Sequence, residues 1–522
     1  MQWRTAVVKN KSIIFADMKI MYCIRGLHNS GGMERVLSVK ANLLASRGHE
    51  VSIVVLRLKG RKPFFPIDPS VNIVDLSAPY LSLPGHPSSA NATSDSPRTT
   101  VSSVAGNAPS LASCSARTEN SASPVSSAAG NAASPASCSA RTQGSTPSPA
   151  TGASERLKGS VRERLSRVVE MLDPDVCVSL CGPEVRILPA VAGGRPCVAE
   201  YHFSHDKFYR KYGGIFMYPY AWLRTHMLER AVSEYDCMVT LTEHDLPIWK
   251  RHCRRVERIF NPVTTPPGQV SRLAEKRMIA VGRLEDQKNF KDLVSAWSIV
   301  AERCPDWRLE IFGEGKLEHA LRSQIARLGL TGSVILRGVV KDIASEYSNS
   351  SALLMTSLHE GFPLALVEAS SFGLPLISYD CPTGPSEIII DAGAGGFDGD
   401  GSGAGAGAGV GTDAGAGAGD CDGADAGTSV GAGAGADHCV NSYGGDSAGN
   451  VPAATFDQAA GNTPNGYLVP VGDVRTLADR ICRIASDDNL RLRLGAASKA
   501  SSHRFTPETI ISAWEHLFSS LL

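Results

Sequence analysis

The sequence predicts an α/β protein of two Rossmann-like, doubly wound domains facing a cleft, and three observations predict it. Short apolar runs alternate with helix-length amphipathic stretches. The alternation occurs twice, on either side of Asn261-Pro262. Glycine-rich turns follow several of the apolar runs. Continuous apolar strands alternating with helices belong to parallel sheets covered on both faces. Ligands of such sheets sit at the carboxyl ends of the strands. The 522 residues, 43% hydrophobic and 20% charged, suffice for more than one core.

In the first series, Lys19–Ile24 reads as a strand, followed by a glycine turn and an amphipathic helix over Met33–Ser46. His49–Leu56 is a second apolar run, Ser160–Leu172 a helix, and Val176–Leu180 a strand ending in Cys-Gly-Pro. Cys197–Tyr201, Cys237–Leu241 and Val256–Phe260 read as further strands, and Thr242 as the N-cap of a helix from Glu243. The second series places strands at Met278–Val281, Leu309–Phe312, Val334–Leu336, Leu353–Met355 and Pro375–Tyr379. Its helices are Phe290–Arg303, Lys316–Leu328, Pro363–Phe372, Asp473–Ser486 and Pro507–Phe518.

Two low-complexity segments interrupt this pattern. Residues 84–154 are Ser, Ala, Pro, Asn and Thr, with a segment beginning at Val101 returning at Val125. The copies carry no apolar anchors, so they read as a duplicated disordered linker rather than a solenoid repeat. Residues 392–463 are rich in Gly and Ala and hold nine Asp but no Lys or Arg. Such a segment cannot bury enough surface to offset its ordering entropy. Asp398-Gly-Asp400 imitates the start of a calcium loop, but Gly409 stands where the bidentate Glu belongs. The predicted organisation is therefore an extension over 1–17, a first domain over 18–262 and a second over 263–506. A C-terminal helix over 507–522 is expected to cross back to the first domain.

Lys+Arg and Asp+Glu are both 52, so charge gives no reason to expect a nucleic-acid partner. No apolar run reaches the roughly 18 residues a membrane span needs. The start of the chain has no apolar core followed by a cleavage site. The 13 Cys include no CxxC pair and read as free thiols, which points to a cytoplasmic protein.

Several segments could carry chemistry. Gly31 and Gly32 follow the first strand and open a helix, where backbone N–H groups can approach an anion or sugar. The GxGxxG dinucleotide pattern is not present there. Arg283 and Lys288 flank a strand-to-helix turn and can converge on a diphosphate. Glu360 precedes a helix whose first residues, Gly361 to Leu364, point N–H groups at an anion. Glu368 lies in an apolar stretch, LALVEAS, and needs a partner, for which ribose hydroxyls are suited. His202 ends the strand CVAEYH and could touch the reacting sugar, with His205 as its competitor. The loop Cys381 to Glu387 is a sugar-facing candidate. The basic stretch Trp249–Arg258 is a solvated helix end or a contact with an anionic membrane surface.

These pieces together resemble glycosyltransferase family 4, on the GT-B fold: HNSGGMERV, FNPV, VGRLEDQKNF, EGFPLALVEASSFGLPLISYDCPTGPSEI and NGYLVPVGD. The CPTGPSE segment is similar to a branch that builds bacterial polysaccharides and glycolipids. The resemblance implies a retaining transferase that takes a hexose or N-acetylhexosamine from a nucleotide diphosphate-sugar, with UDP the first choice, to a glycan or lipid-linked acceptor. It implies that Arg283 and Lys288 bind the donor diphosphate, Glu360 faces the donor sugar and Glu368 the ribose. Gly361 and Phe362 would offer backbone N–H groups, and Gly31 and Gly32 would close the site. No cofactor or metal is expected for the transfer. A cytoplasmic protein with room for a peripheral contact at the inner membrane face is the matching location. One departure is Asn289, where family members often carry Gly after the lysine. Two readings compete: a sugar-nucleotide epimerase of the same fold, and an inactive sugar-nucleotide-binding protein. A metal-dependent transferase with a DxD motif is set aside, because Asp398-Gly-Asp400 and Asp420-Cys-Asp422 lie inside the acidic insert.

Overall fold

The computed structural model describes residues 17–78, 159–212, 214, 216–265, 268–393 and 463–522. Two parallel sheets organise them. The first contains β1 (Lys19–Ile24), β2 (Glu50–Val55), β3 (Asn72–Asp75), β4 (Val176–Ser179), β5 (Cys197–Glu200), β6 (Cys237–Thr240) and β7 (Val256–Arg258). Its strand order is β3-β2-β1-β4-β5-β6-β7. The second contains β8 (Arg277–Val281), β9 (Arg308–Phe312), β10 (Val334–Gly338), β11 (Ala352–Met355), β12 (Leu376–Tyr379) and β13 (Gly466–Val469), ordered β10-β9-β8-β11-β12-β13. Ile20 lies between Val51 and Val176, and every residue of β1 after Lys19 is buried, so both its faces are covered, as its unbroken apolar run requires.

Helices of eight residues or more cover the sheets. In chain order they are α1 (Gly32–Ser46), α2 (Val161–Leu172), α3 (Tyr218–Val232), α4 (Phe290–Arg303), α5 (Glu318–Arg327), α6 (Leu364–Ser371), α7 (Val474–Ser486), α8 (Asp488–Ser501) and α9 (Pro507–Ser519). Ser160 and Glu163 form a reciprocal capping box at the start of α2. Asp473 caps α7 through the Thr476 N–H. In α9, Ile510, Ile511, Trp514 and Phe518 pack with Ile20, Tyr22 and Ile53 in the core of the first sheet. The second core joins Trp297 of α4 and Ile481 of α7 to Met278, Leu309 and Tyr467 of the strands. Between the two sheets, Phe260, Phe362 and Phe505 form an aromatic knot, with ring centroids 5.2 to 5.8 Å apart.

Several expectations about local structure need correction. Thr242 caps no helix; the short helix there is Leu246–Trp249, preceded by Asp245, because Pro247 favours the first turn of a later start. Helix α6 begins at Leu364, so Gly361 and Phe362 belong to the loop before it. The basic stretch from Trp249 does begin at the end of the short helix Leu246–Trp249, with Lys250, Arg251 and Arg254 exposed, but Trp249 itself is fully buried and Val256–Arg258 is an edge strand. Strands β3 and β13 and helices α3 and α8 were not anticipated. β3 is a half-buried edge of four residues, too short for a periodic signal. In α3, Tyr218, Tyr220, Trp222 and Leu223 are exposed while Ala221, Leu228, Ala231 and Val232 are buried, which erases amphipathic periodicity. The nine described cysteines are free thiols.

The expected disorder of residues 84–154, and of 392–463 apart from Ala392, Gly393 and Thr463, lies outside the described residues; Ala392 is instead buried in the second core. The chain leaves and re-enters the second domain at adjacent points, however. Ala392 N–H donates to Gly466 O at 2.9 Å, and Asn465 N–H to Ile390 O at 3.1 Å. A short connection can therefore span the gap. Deleting residues 395–460 is expected to leave the fold intact and to stabilise it by no more than about 2 kcal/mol, the closure entropy of the longer loop. Thermal unfolding checks this, and a large loss of stability would refute it.

Candidate active site

In each sheet the chain reverses its winding direction between two neighbouring strands, β1 and β4 in the first, β8 and β11 in the second. The loops leaving those strand ends carry most of the chemistry-bearing residues, as expected for a switch point. Gly31 precedes α1 and Gly32 is its first residue. A side chain at Gly31 would run into the Glu34 carboxylate, and one at Gly32 would meet Leu364 at 3.2 Å. Gly361 faces the first domain just as closely: a β-carbon there would lie 2.5 Å from the His202 carbonyl oxygen. The first domain's glycine turn and His202 thus abut the loop and first turn of α6.

Lys288 ends a single 3-10 turn after β8, and its Nζ donates to Glu360 Oε1 at 2.6 Å. The following Asn289 has φ 47° and ψ 42°. That left-handed conformation is one that Gly and Asn visit readily, which explains why Asn stands there. Thr356 bonds the Lys288 and Asn289 carbonyls at 3.1 Å, tying this turn to the end of β11. Arg283 leaves the same strand end, but its side chain is 69% exposed and its guanidinium engages Glu285 at 3.1 Å. The expected convergence of the two cations is therefore not seen: Lys288 turns to Glu360 and Arg283 to Glu285.

Glu368 is buried on α6 and is not without partners. Thr264 Oγ1 donates to its Oε1 at 2.7 Å, the Tyr347 hydroxyl to its Oε2 at 3.2 Å, and Arg35 of α1 pairs with Oε1 at 2.9 Å. The expectation of an acid waiting for a ribose is corrected to this extent. A carboxylate offers about four lone-pair sites, so Oε2 keeps room for one further donor. Burial, followed by the charge of Glu368, pushes the Tyr347 hydroxyl well above its ordinary range. Phe362 directs its ring into the aromatic knot and leaves its backbone in the loop.

His202 is buried, and its Nε2 lies 3.1 Å from Glu200 Oε1. Glu200 also receives Lys40 of α1 at 2.5 Å on both oxygens. Burial by itself raises the Glu200 pKa, but Lys40 and His202 outweigh it and hold the carboxyl at about 2. Burial pulls Lys40 below its ordinary value, against the attraction of Glu200. The Lys40 ammonium also sits 4.0 Å from the centre of the Trp514 ring. The rival His205 points elsewhere, to Glu229 at 2.8 Å. Loop Cys381–Glu387 divides its labour. Thr383 bonds the Glu360 carbonyl, while Glu387 accepts from the Glu243 N–H at 2.6 Å and pairs with Arg258 at 3.2 Å. Its carboxylate is spent on joining the domains rather than on facing a sugar.

Arg35, Thr264, Tyr347, Lys40 and Glu200 were missed as site residues. A signal existed for two of them. Lys40 and Glu200 are single charges in otherwise apolar stretches, VLSVKANLLA and CVAEYH, and opposite charges so placed invite pairing. Nothing local marks Arg35, Thr264 or Tyr347.

Residues 266–397 match the family described as Glycosyl transferases group 1. An uncharacterized glycosyltransferase of Haemophilus influenzae is 24% identical over 374 residues, covering 71% of this chain and 83% of that protein. The lipopolysaccharide 1,6-galactosyltransferase of Salmonella typhimurium is 35% identical over 142 residues, 25% of this chain and 38% of the relative. The chain thus spans less than half of that second protein's length. Among solved structures, Anabaena Alr3699/HepE in complex with UDP and glucose superposes with a TM-score of 0.54 at 14% identity, over 96% of this chain and all of the other. At that identity the likeness is one of fold.

Proposed function

Because this chain is a glycosyltransferase of the GT-B fold whose second domain carries the group 1 segment, we propose that it moves a sugar, with retention, from a UDP-sugar to a glycan or glycolipid acceptor. The observation that carries the proposal is the meeting of Lys288, Glu360 and the start of α6 with Gly32 and the His202 carbonyl. The Haemophilus and Salmonella relatives are transferases, and the Salmonella one is named for lipopolysaccharide. UDP as the donor nucleotide rests on the Anabaena neighbour, which was solved with it.

In this reading the donor diphosphate lies against the Lys288 ammonium and the N–H groups ahead of α6. Arg283, free to swing from its exposed position, adds a second positive charge. The bond from the anomeric carbon to the diphosphate oxygen breaks, and the electron pair leaves with the diphosphate. The acceptor oxygen bonds the same face of that carbon and passes its proton to the departing diphosphate. Lys288 and Arg283 stabilise the charge that grows there. Glu360 orients the sugar hydroxyls, and His202 presents its ring and carbonyl from the opposite domain. The free site on Glu368 Oε2 takes a ribose hydroxyl. Glu368 is almost wholly covered and paired to Arg35, so the nucleotide reaches it when the domains part and Arg35 withdraws.

Nucleotide release from a panel of UDP- and GDP-sugars, with and without acceptor, tests the reaction. Glu368→Ala is expected to raise the donor KM about tenfold or more through one lost hydrogen bond to a charged group. Arg283→Ala is expected mainly to lower kcat. Unchanged kinetics in both variants would remove the site assignment. Acceptor-independent binding without turnover would favour an inactive sugar-nucleotide binder.

We assign the membrane-facing surface to α3 and the segment before it. Phe216, Met217, Tyr218, Tyr220, Trp222 and Leu223 are exposed there, and the Arg224 guanidinium lies over the Phe208 ring. Exposed aromatics beside cations suit an anionic lipid interface. Among the described residues no helix is long and apolar enough to cross a membrane. Co-sedimentation with anionic vesicles should fall in a Phe216→Ala/Trp222→Ala variant. Equal binding by variant and wild type, or binding to zwitterionic vesicles alone, would refute the assignment.

A further inference from the structure

Behind the acceptor-side loop, three imidazoles gather on one carboxylate. Glu229 lies on α3, and His226 one turn before it shares its face. His205 comes from the loop after β5, and His252 from the turn following Trp249. His205 Nε2 is 2.8 Å from Glu229 Oε1, His252 Nε2 is 3.5 Å from the same oxygen, and His226 Nδ1 is 3.5 Å from Oε2. Ligand atoms of His205, Glu229 and His252 all lie within 4.8 Å of one another. Only the first of these contacts has hydrogen-bond length, so hydrogen bonding alone accounts for one imidazole of the three.

We propose that His205, Glu229 and His252 form a binding site for a late first-row divalent cation, zinc by preference, with His226 or water completing the coordination. Two imidazoles and a carboxylate suit zinc bonds of about 2.0 to 2.2 Å in a tetrahedral arrangement. Such bonds would place ligand atoms roughly 3.3 Å apart; the two contacts to Glu229 are 2.8 and 3.5 Å, and all three ligand atoms lie within 4.8 Å of one another, so small side-chain movements bring them onto one ion. The site is also held from behind. The buried Trp249 ring stands edge-on to both imidazoles, at 5.0 Å from His205 and 6.5 Å from His252. The two imidazole planes are within 15° of parallel. The site is half-buried, with His205 and Glu229 at 17% and 15% exposure and His252 at 31%, so an ion can enter from solvent.

The ion would have a structural task. His205 is three residues after His202, and the His202 carbonyl abuts Gly361 of the second domain. A cation joining that loop to α3 and to the turn after Trp249 fixes the part of the first domain that meets the candidate transfer site. It takes no part in the transfer, for which no metal is expected, and it stands whether or not the donor assignment holds.

The test uses the full chain, stripped with a chelator and titrated with zinc chloride in the absence of any donor. Calorimetry is expected to report one ion per chain beyond what Glu229→Gln and His252→Ala bind, with an affinity at least about tenfold above either variant. The melting temperature of the wild type should rise with zinc, and that of the variants should not. Cobalt substitution should give the visible absorption of a four-coordinate nitrogen–oxygen site in the wild type alone. Both substitutions are at half-buried positions, and the stripped variants are first checked to melt as the stripped wild type does. Should one fail that check, the other and the cobalt spectrum decide. Equal stoichiometry and affinity in wild type and variants, or no zinc bound by the wild type, would overturn the proposal.

Discussion

Lys288→Ala is expected to lower kcat by on the order of 10²- to 10³-fold while the protein remains folded, the range seen when one preorganised donor to a developing anion is removed. The fold holds the lysine in place. Its turn is tied to β11 by Thr356, and its ammonium is aimed at Glu360. When the diphosphate departs it carries the electron pair of the broken bond, and the charge nearest to it sets the barrier. In the variant Glu360 loses its cation and repels the same anion, which compounds the loss. Arg283, exposed and paired with Glu285, is expected to compensate only in part. The measurement is single-turnover release of the nucleotide at saturating donor. A kcat within about threefold of wild type would place the diphosphate elsewhere, since that ratio corresponds to under 1 kcal/mol.

Lys40→Ala is expected to destabilise the fold by about 3–5 kcal/mol, because it leaves a buried carboxylate without its cation. Lys40 and Glu200 are each 1% exposed, and His202 is their third partner. Denaturant unfolding checks the magnitude, and a loss under about 1 kcal/mol would mean that the pair contributes little. Replacing both partners, as Lys40→Met with Glu200→Leu, should recover most of the stability, since a buried pair exchanged for apolar groups is often neutral. Activity should not recover with it, because His202 loses the carboxylate it lies against. Acid shares this sensitivity. The Glu200 carboxyl is depressed from 4.5 to about 2 in the folded state. Its ionised form therefore binds better in the fold than in the unfolded chain. That contribution is complete above about pH 4.5 and drains away as the pH falls toward 2. A wild-type stability profile flat over that window would contradict the assignment.

The sequence by itself determined the class of fold and most of its elements. Strands buried on both faces must be continuously apolar, as in KIMYCI and VCVS, and the helices between them must show a stripe. Both are properties of neighbouring residues, and neighbouring residues are legible. The placement of the glycine turn, Lys288 and Glu360 in the segments after strands, and of Glu368 on the helix that follows, came from the same local reading. Tertiary structure decided the rest. It gave Glu368 the partners Arg35, Thr264 and Tyr347, joined Lys40 to Glu200, turned Arg283 outward to Glu285 and sent His205 to Glu229 while His202 stayed at the domain junction. These contacts join residues as far as 333 positions apart, Arg35 to Glu368 being the longest. Which charge meets which depends on how two sheets and their covering helices pack. Local periodicity carries no record of that, because side chains distant along the chain meet only after the backbone has been folded around a core.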